Sequence, residues 1–300
     1  MRKSNPFIRR TESRTNGGDI KTVFGLRPYK GQVGLEVEVE GNMFPKDYEY
    51  DDYGDQVPIG EDVIPPRWAY THDGSLRGED NAEYIINQPT EFHEVPKAID
   101  ELWEMFDNYG SKLDESNRTS IHVHLNAQKW HLNRVCAFFG LYFIVEDILT
   151  HWCGDHRVGN LFCLRAKDAP GIVSRLKQFF KSEHGWVLND GMHYSGINAL
   201  ALKKLGSIEI RTMRGVKDPE TIKTWVAILE RIYLMSSEYP DPRDIVHGFS
   251  GQTRKSFLQS ILGSFTTQIM DECGMTTEQI DASLVEGIRI AQSLCYCYRS

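Results

Sequence analysis

One stretch of the sequence, residues 34–41, reads GLEVEVEG and is followed by Asn42. Alternating acidic and aliphatic residues that end in Gly-Asn predict a β-strand followed by a turn. Because successive side chains of a strand point to opposite faces, Glu36, Glu38 and Glu40 share one face. Taken alone, the stretch favours a strand with one solvated face, since that pattern is common in antiparallel sheets.

Two histidines follow the same alternation in a second predicted strand, residues 119–125, which read TSIHVHL. His122 and His124 share a face opposite three aliphatic side chains. A lone histidine is more often structural. Two on one face of an otherwise apolar strand favour a metal site, because neutral imidazoles are common metal ligands.

Two further predicted strands carry charges in the same way. In residues 207–212, SIEIRT, Glu209 and Arg211 share one face, which by itself fits an ion pair of small value. In residues 81–86, NAEYII, Glu83 is the only charged group. If the polar faces of the four strands converge, they form a funnel of carboxylates, imidazoles and a guanidinium. Oxygen ligands of this kind suit hard divalent cations.

The composition indicates a folded protein of the cytoplasm. The 300 residues are 40% hydrophobic and carry a formal net charge of −8. This balance disfavours nucleic acid as a partner, because phosphate backbones bind clustered Lys and Arg. No apolar segment of a secretory signal follows the N-terminus, and the longest apolar run, residues 136–145, is too short to cross a bilayer. Six scattered cysteines fit reduced thiols.

The order of predicted elements favours an α+β fold. We predict strands at 31–41, 67–72, 81–87 and 118–126, a hairpin at 198–212, and helices at 93–113, 131–153, 170–182, 219–239, 254–272 and 276–298. Asp218 and Pro219 form a good N-cap and N1 pair. Strands and helices do not alternate one by one. An antiparallel or mixed sheet backed by helices therefore fits better than a doubly wound parallel sheet.

The charge distribution suggests how the chain is divided. Residues 1–30 are rich in Lys and Arg and read as a flexible basic arm. Residues 31–300 read as a single catalytic domain, with an acidic insertion at 42–66 and C-terminal helices over 219–300.

The order of these segments resembles the amidoligase family, which is related to glutamine synthetases and glutamate–cysteine ligases. The matching segments, within residues 33–229, are GLEVEVEG, HDGSL with AEYI, TSIHVHL and SIEIRTMRG. The resemblance implies an antiparallel (mixed) sheet curved into a half-barrel and backed by helices. The implied fold is a glutamine-synthetase-like catalytic fold, with Mg²⁺–ATP entering one end.

The resemblance also implies roles for particular residues. The implied metal ligands are Glu36, Glu38, Glu83, His122 and Glu209. His124 corresponds to an imidazole near the nucleotide phosphates, and Arg211 to the arginine that holds the acyl phosphate. Asp73 and Ser75 correspond to a turn near the acceptor-substrate pocket. Arg214 is a candidate second anion clamp, although it is out of phase with the strand face that carries Arg211.

The implied activity is an ATP-dependent joining of a carboxylate to an amine. ATP would activate the carboxylate as an acyl phosphate, with two or three Mg²⁺ ions, or Mn²⁺, on the phosphates. The acid and the amine would be small molecules, peptides or protein side chains, and the amine could be free ammonia or come from a separate subunit. No nucleic acid or membrane partner is expected.

Other interpretations stay open. A metal-dependent hydrolase would use the same carboxylates and histidines on water, without ATP and without an obvious role for Arg211. A binding or scaffold protein would keep the fold without turnover. Cys153, His156 and Cys163 could hold zinc, but a helix end with a glycine C-cap is the favoured interpretation there.

Overall fold

The structure, a computed structural model, describes residues 18–50, 53–58, 63–72, 74, 76, 81–182, 187–249 and 251–297. The strands are β1 (Val33–Asn42), β2 (Tyr48–Tyr50), β3 (Gln56–Pro58), β4 (Trp68–Thr71), β5 (Asn81–Ile86), β6 (Lys112–Leu113), β7 (Ser120–Asn126), β8 (Ile197–Asn198) and β9 (Ser207–Arg214). The helices are α1 (Ile20–Phe24), α2 (Val95–Tyr109), α3 (Leu132–Trp152), α4 (Pro170–Ser182), α5 (Leu200–Lys204), α6 (Pro219–Met235), α7 (Arg243–Phe249), α8 (Arg254–Leu262), α9 (Thr266–Glu272) and α10 (Thr277–Cys295).

The chain divides into two compact units, which we name by their content. The strand unit comprises Tyr29–His124 and Met213–Ala227. The helical unit comprises the described residues of Met1–Pro28, Leu125–Thr212 and Ile228–Ser300. Strands β7 and β9 and helix α6 each have residues in both units.

Strand β1 is the centre of the strand unit. It pairs antiparallel with β5, which pairs antiparallel with β4, and β7 lies on the other side of β1. The short β6 pairs antiparallel with the end of β1. The aliphatic face of β1 (Leu35, Val37 and Val39) is buried. The alternation of residues 34–41 therefore correctly predicts both the strand and its apolar face.

Helix α2 packs on this apolar face. The Ala98 carbonyl of α2 accepts a hydrogen bond of 2.9 Å from Trp68 Nε1 of β4, and the rings of Phe106 and Tyr84 meet edge to face at 5.3 Å. The helix ends at Gly110, whose φ of 77° is a left-handed conformation that favours glycine. The predicted helix at 93–113 was thus too long, because the chain leaves α2 at this cap and continues into β6.

Helix α3 is the core of the helical unit. Its 21 residues are apolar on nearly all sides, and 18 of them are buried, as expected of a central helix. Helix α10 crosses it closely at Gly287, where a Cβ atom would lie 2.6 Å from the carbonyl oxygens of Phe143 and Ile144. Only glycine permits this approach of the two backbones.

The α+β class with an antiparallel sheet is confirmed, as are α3, α4 and the cap of α6. Asp218 accepts hydrogen bonds from the N–H groups of Glu220 and Thr221 at 3.1 and 3.2 Å. The hairpin predicted at 198–212 is wrong in its middle. There the run LALKK forms α5 between β8 and β9, because these residues are good helix formers.

Helices α1 and α7, and the pairing of β2 with β3 inside the acidic insertion, were also not predicted. Helix α1 lies within the predicted arm and buries Ile20 and Val23. The boundaries predicted for the arm, the domain and the insertion stay predictions.

Among the described residues, no helix combines the length and the apolar character needed to cross a membrane.

Candidate metal and catalytic site

The pairing of β1 with β5 places two carboxylates directly opposite each other. In this register Glu38 pairs with Glu83. Glu38, the middle acid of β1, is only 4% exposed, so at this position the acidic face is not solvated as its alternation alone favours. Like charges opposite each other on neighbouring strands destabilise a sheet, and burial increases the cost. A cation or a proton between the two carboxylates would relieve it.

His122 of β7 completes a group with these acids, which we call the three-ligand cluster (Glu38, Glu83 and His122). One ligand atom from each residue lies within 4.8 Å of the others. His122 Nε2 lies 3.6 Å from Glu38 Oε1, and both side chains are buried. Two carboxylates and one imidazole suit Mn²⁺, and their oxygens suit Mg²⁺. The donor set therefore fits the cation that the resemblance implies.

Glu36 lies two residues before Glu38 on the same face and contacts both histidines. Its Oε2 is 2.7 Å from His122 Nδ1, and its Oε1 is 2.9 Å from His124 Nε2. Burial raises the pKa of Glu36, but the hydrogen bonds and charges of His122 and His124 outweigh burial and lower it well below its ordinary value. Glu36 therefore stays ionised and orients the His122 ring through Nδ1.

Ser120 contacts both Glu38 and His122. In the sequence, only its alternation with the two histidines indicated that it shares their strand face. Its backbone N–H and its hydroxyl each donate to Glu38 Oε2 at 2.8 Å. Its Oγ also lies 2.7 Å from His122 Nε2. A hydroxyl has one proton, so while it donates to Glu38, its contact with Nε2 needs a proton on that nitrogen.

Glu209 and Arg211 lie together on β9 in the helical unit. Arg211 Nη1 donates to Glu209 Oε1. The other oxygen, Oε2, accepts from Asn198 Nδ2 of the paired strand β8 at 2.7 Å. Asn198 is a partner that sequence reasoning missed, because the short β8 gives no periodic signal. Arg211 Nε is buried without a hydrogen-bond partner among the described residues, so this guanidinium can still donate.

Arg157 holds the backbone of β9 beside Arg211. Its Nε donates to the Thr212 carbonyl at 2.9 Å, and its Nη2 donates to the Arg211 carbonyl at 2.5 Å. Arg157 is buried. No sequence pattern indicated this role, because Arg157 comes from a 3₁₀ turn far from β9 in the chain.

The other predicted residues are placed as follows. Arg214 ends β9 and is half-buried in the strand unit. Asp73 and Ser75 lie outside the described residues. The strand unit brings together Glu36, Glu38, Glu83, His122 and His124. The helical unit pairs Glu209 with Arg211. The chemical roles of all these residues stay predictions.

The cysteines give no support to the zinc alternative. All six are free thiols, and five of them are buried. Within the described part of the chain, no group of three metal-ligand atoms includes Cys153, His156 or Cys163. Gly154 lies one residue beyond Cys153, the C-cap of α3, in keeping with the favoured interpretation of a helix end.

Comparison with known families gives one match. Residues 85–233 match the model of a family described as "Putative amidoligase enzyme". No curated protein is significantly similar to the chain. The matched segment contains His122, Glu209 and Arg211, whereas Glu36, Glu38 and Glu83 precede it. The description suggests an enzyme of ligase type. The match covers almost half of the chain and supports its resemblance to the amidoligase family.

Proposed function

We propose that the protein is an ATP- and Mg²⁺-dependent carboxylate–amine ligase that forms an amide through an acyl phosphate. The observation that carries this proposal is the pairing of buried Glu38 with half-buried Glu83 beside His122 Nε2. Two opposed carboxylates with an imidazole supply donors that suit a divalent cation, and the family match supports ligase chemistry. The glutamine-synthetase-like half-barrel belongs to the same proposal.

The reaction has two balanced steps. A carboxylate oxygen of the acid attacks the γ-phosphorus of ATP, and ADP leaves. The amine nitrogen then attacks the acyl carbon, loses a proton, and inorganic phosphate leaves. Protein groups supply little covalent chemistry in phosphoryl transfer, so positioning and charge neutralisation carry the catalysis.

The chain offers groups for these tasks. Glu38, Glu83 and His122 would hold a divalent cation, with Glu36 and Glu209 as further ligands, and the cation would neutralise phosphate charge. Arg211 would bind the acyl phosphate. Its buried Nε has no hydrogen-bond partner among the residues that the structure describes, which supports an anionic ligand there. His124 would lie near the nucleotide, and Arg214 would be a second anion clamp.

The remaining parts of the proposal come from the resemblance alone. The turn at Asp73 and Ser75 would approach the acceptor substrate. The acid and the amine would be small molecules, peptides or side chains, with ammonia or a separate subunit as sources of nitrogen. A cytoplasmic location fits six free thiols.

The test is ADP release by the purified full-length protein with Mg²⁺–ATP and pools of carboxylates and amines. The variants are Glu38→Gln and Arg211→Ala. The matched control is Glu40→Gln, which removes the next acid on the same face of β1 but lies outside the cluster. We expect ADP release that depends on one acid–amine pool, is lost in both variants and is retained in the control.

Two outcomes would contradict the proposal. A folded, metal-loaded protein that does not bind ATP would exclude the ligase. Turnover of amides by water without ATP, dependent on Glu38, would favour the hydrolase.

A further inference from the structure

We infer that Ser120 is a positioning residue of the cation site, which fixes one oxygen of Glu38 and so turns the other toward His122 Nε2. This inference rests on the proposed cation site and adds a residue that the family resemblance does not assign. Ser120 would act through Glu38 and His122, without itself contacting the cation.

The hydrogen bonds of Ser120 distinguish the two oxygens of Glu38. Both donors of Ser120, the N–H and the hydroxyl, are directed at Oε2. Oε1 lies on the side of His122 Nε2, at 3.6 Å. Two donors on one carboxylate oxygen fix the rotation of the carboxylate plane. Oε1 is thereby directed to the three-ligand cluster before any cation arrives.

His122 is oriented from both ends of its ring. Glu36 accepts from Nδ1 at 2.7 Å, so the nitrogen that faces Glu38 is Nε2. The Ser120 hydroxyl lies 2.7 Å from this Nε2. Cation binding at Nε2 would displace the proton on that nitrogen to solvent, and the hydroxyl would lose this contact but keep its bond to Glu38. Ser120 therefore holds both ligands in place while the site is empty, without having to move.

The next hydroxyl along β7 is not placed to replace Ser120. Thr119 is the next hydroxyl along β7, but its Oγ1 donates to the Ser116 carbonyl at 3.3 Å. Thr119 also belongs to the opposite phase of the strand. Ser120 is itself buried, so water does not reach the site easily to take over the two bonds.

The test is Mn²⁺ affinity of the metal-free, full-length protein, measured by electron paramagnetic resonance without nucleotide or substrate. We expect Ser120→Ala to weaken Mn²⁺ binding by about 10- to 100-fold, as loss of outer partners of metal ligands does. Ser120→Thr keeps the hydroxyl and should restore most of the affinity. Ser236→Ala is the matched control, since it removes another buried hydroxyl, one that donates to the Tyr233 carbonyl.

Two further measurements separate positioning from general stability. In thermal unfolding of the metal-free proteins, Ser120→Ala and Ser236→Ala should both unfold cooperatively and at similar melting temperatures. If Ser120 acts through Glu38, then Ser120→Ala added to Glu38→Ala should weaken Mn²⁺ binding much less than it does alone. If Ser120→Ala does not fold, Ser120→Cys keeps the size with a weak donor and should show the same loss of affinity.

The outcomes are distinct. Wild-type affinity in folded Ser120→Ala or Ser120→Cys overturns the role of Ser120 and leaves the cation site intact. Equal weakening by Ser120→Thr also overturns it, because that variant keeps the hydroxyl. Failure of the wild-type protein to bind Mn²⁺ overturns the cation site itself, and with it both the proposed function and the role of Ser120.

Discussion

At the scale of single residues, the chain contains acidic groups whose surroundings are unfavourable in the metal-free protein. Glu38 and Glu83 are opposed across two strands. Glu146, in the middle of α3, is buried, and its Oε1 has no hydrogen-bond partner among the described residues. Natural proteins keep such groups where function outweighs stability. The first pair belongs to the candidate site, whereas Glu146 has no assigned role.

Glu83→Gln should stabilise the metal-free protein while weakening its cation site. Removing one of two opposed charges relieves repulsion, so the free energy of unfolding should rise by up to about 1 kcal/mol. Urea unfolding in EDTA measures this gain, and a Mn²⁺ titration measures the expected loss of affinity. A variant less stable than wild type in EDTA would show that Glu83 makes net favourable contacts without metal.

Glu146 should make stability fall between weakly acidic and weakly basic pH. Burial raises the pKa of Glu146 from 4.5 to about 8, although a hydrogen bond from the Ala166 N–H acts in the opposite direction. A raised pKa means that the folded state holds the proton more tightly. The protonated Glu146 therefore contributes fully to the free energy of unfolding below its unfolded-state pKa. This contribution is lost as pH rises through about 8.

Glu146→Gln provides the measurement for this pH dependence. This substitution should remove most of the pH-dependent change that Glu146 causes in the free energy of unfolding. The upper limit of that change is roughly 5 kcal/mol. Urea unfolding of both proteins at several pH values between 4 and 9 would reveal the difference. Parallel curves for wild type and variant would contradict the assignment.

At the scale of elements, the contact of α3 with α10 depends on one small residue. Gly287→Ala would place a methyl group 2.6 Å from two carbonyl oxygens of α3, and backbone atoms cannot easily move away. We expect a loss of about 1–3 kcal/mol in the free energy of unfolding, as overpacking costs. The measurement is urea unfolding at neutral pH.

Gly248→Ala is the matched control for this contact. Gly248 also lies in a helix, α7, but an added Cβ there meets nothing within 4 Å. Helix propensity alone predicts that this change is neutral or stabilising by up to about 1 kcal/mol. If Gly287→Ala and Gly248→Ala changed the free energy of unfolding equally, the close approach of α10 to α3 at Gly287 would not explain the loss.

At the scale of the whole molecule, cation binding should be coupled to folding stability. An ion that binds the folded state alone adds about 2.7 kcal/mol at 100 times its Kd. We therefore expect Mn²⁺, and Mg²⁺ at higher concentration, to raise the melting temperature of the wild-type protein and not that of Glu38→Gln. An equal increase in both proteins would place the stabilising ion elsewhere.

The sequence by itself determined the features that depend on neighbours along the chain. The period of two in residues 34–41 and 119–125 placed Glu36 with Glu38 and His122 with His124, because side-chain alternation is a local property of strands. The length and apolar character of α3, and the Asp218 cap of α6, were also local signals. The run at 200–204 had a helical preference too, which the prediction of a hairpin overlooked.

Only the tertiary structure decided which residues of distant segments meet. The register that opposes Glu38 to Glu83 depends on hydrogen bonds between strands far apart in the chain, and a slip of one residue would turn the acids to the other face. The bond from Ser120 to Glu38 spans 82 residues, so no local pattern could reveal it. Burial of Glu38 has the same origin, because exposure depends on what packs over a face and not on the alternation that creates it.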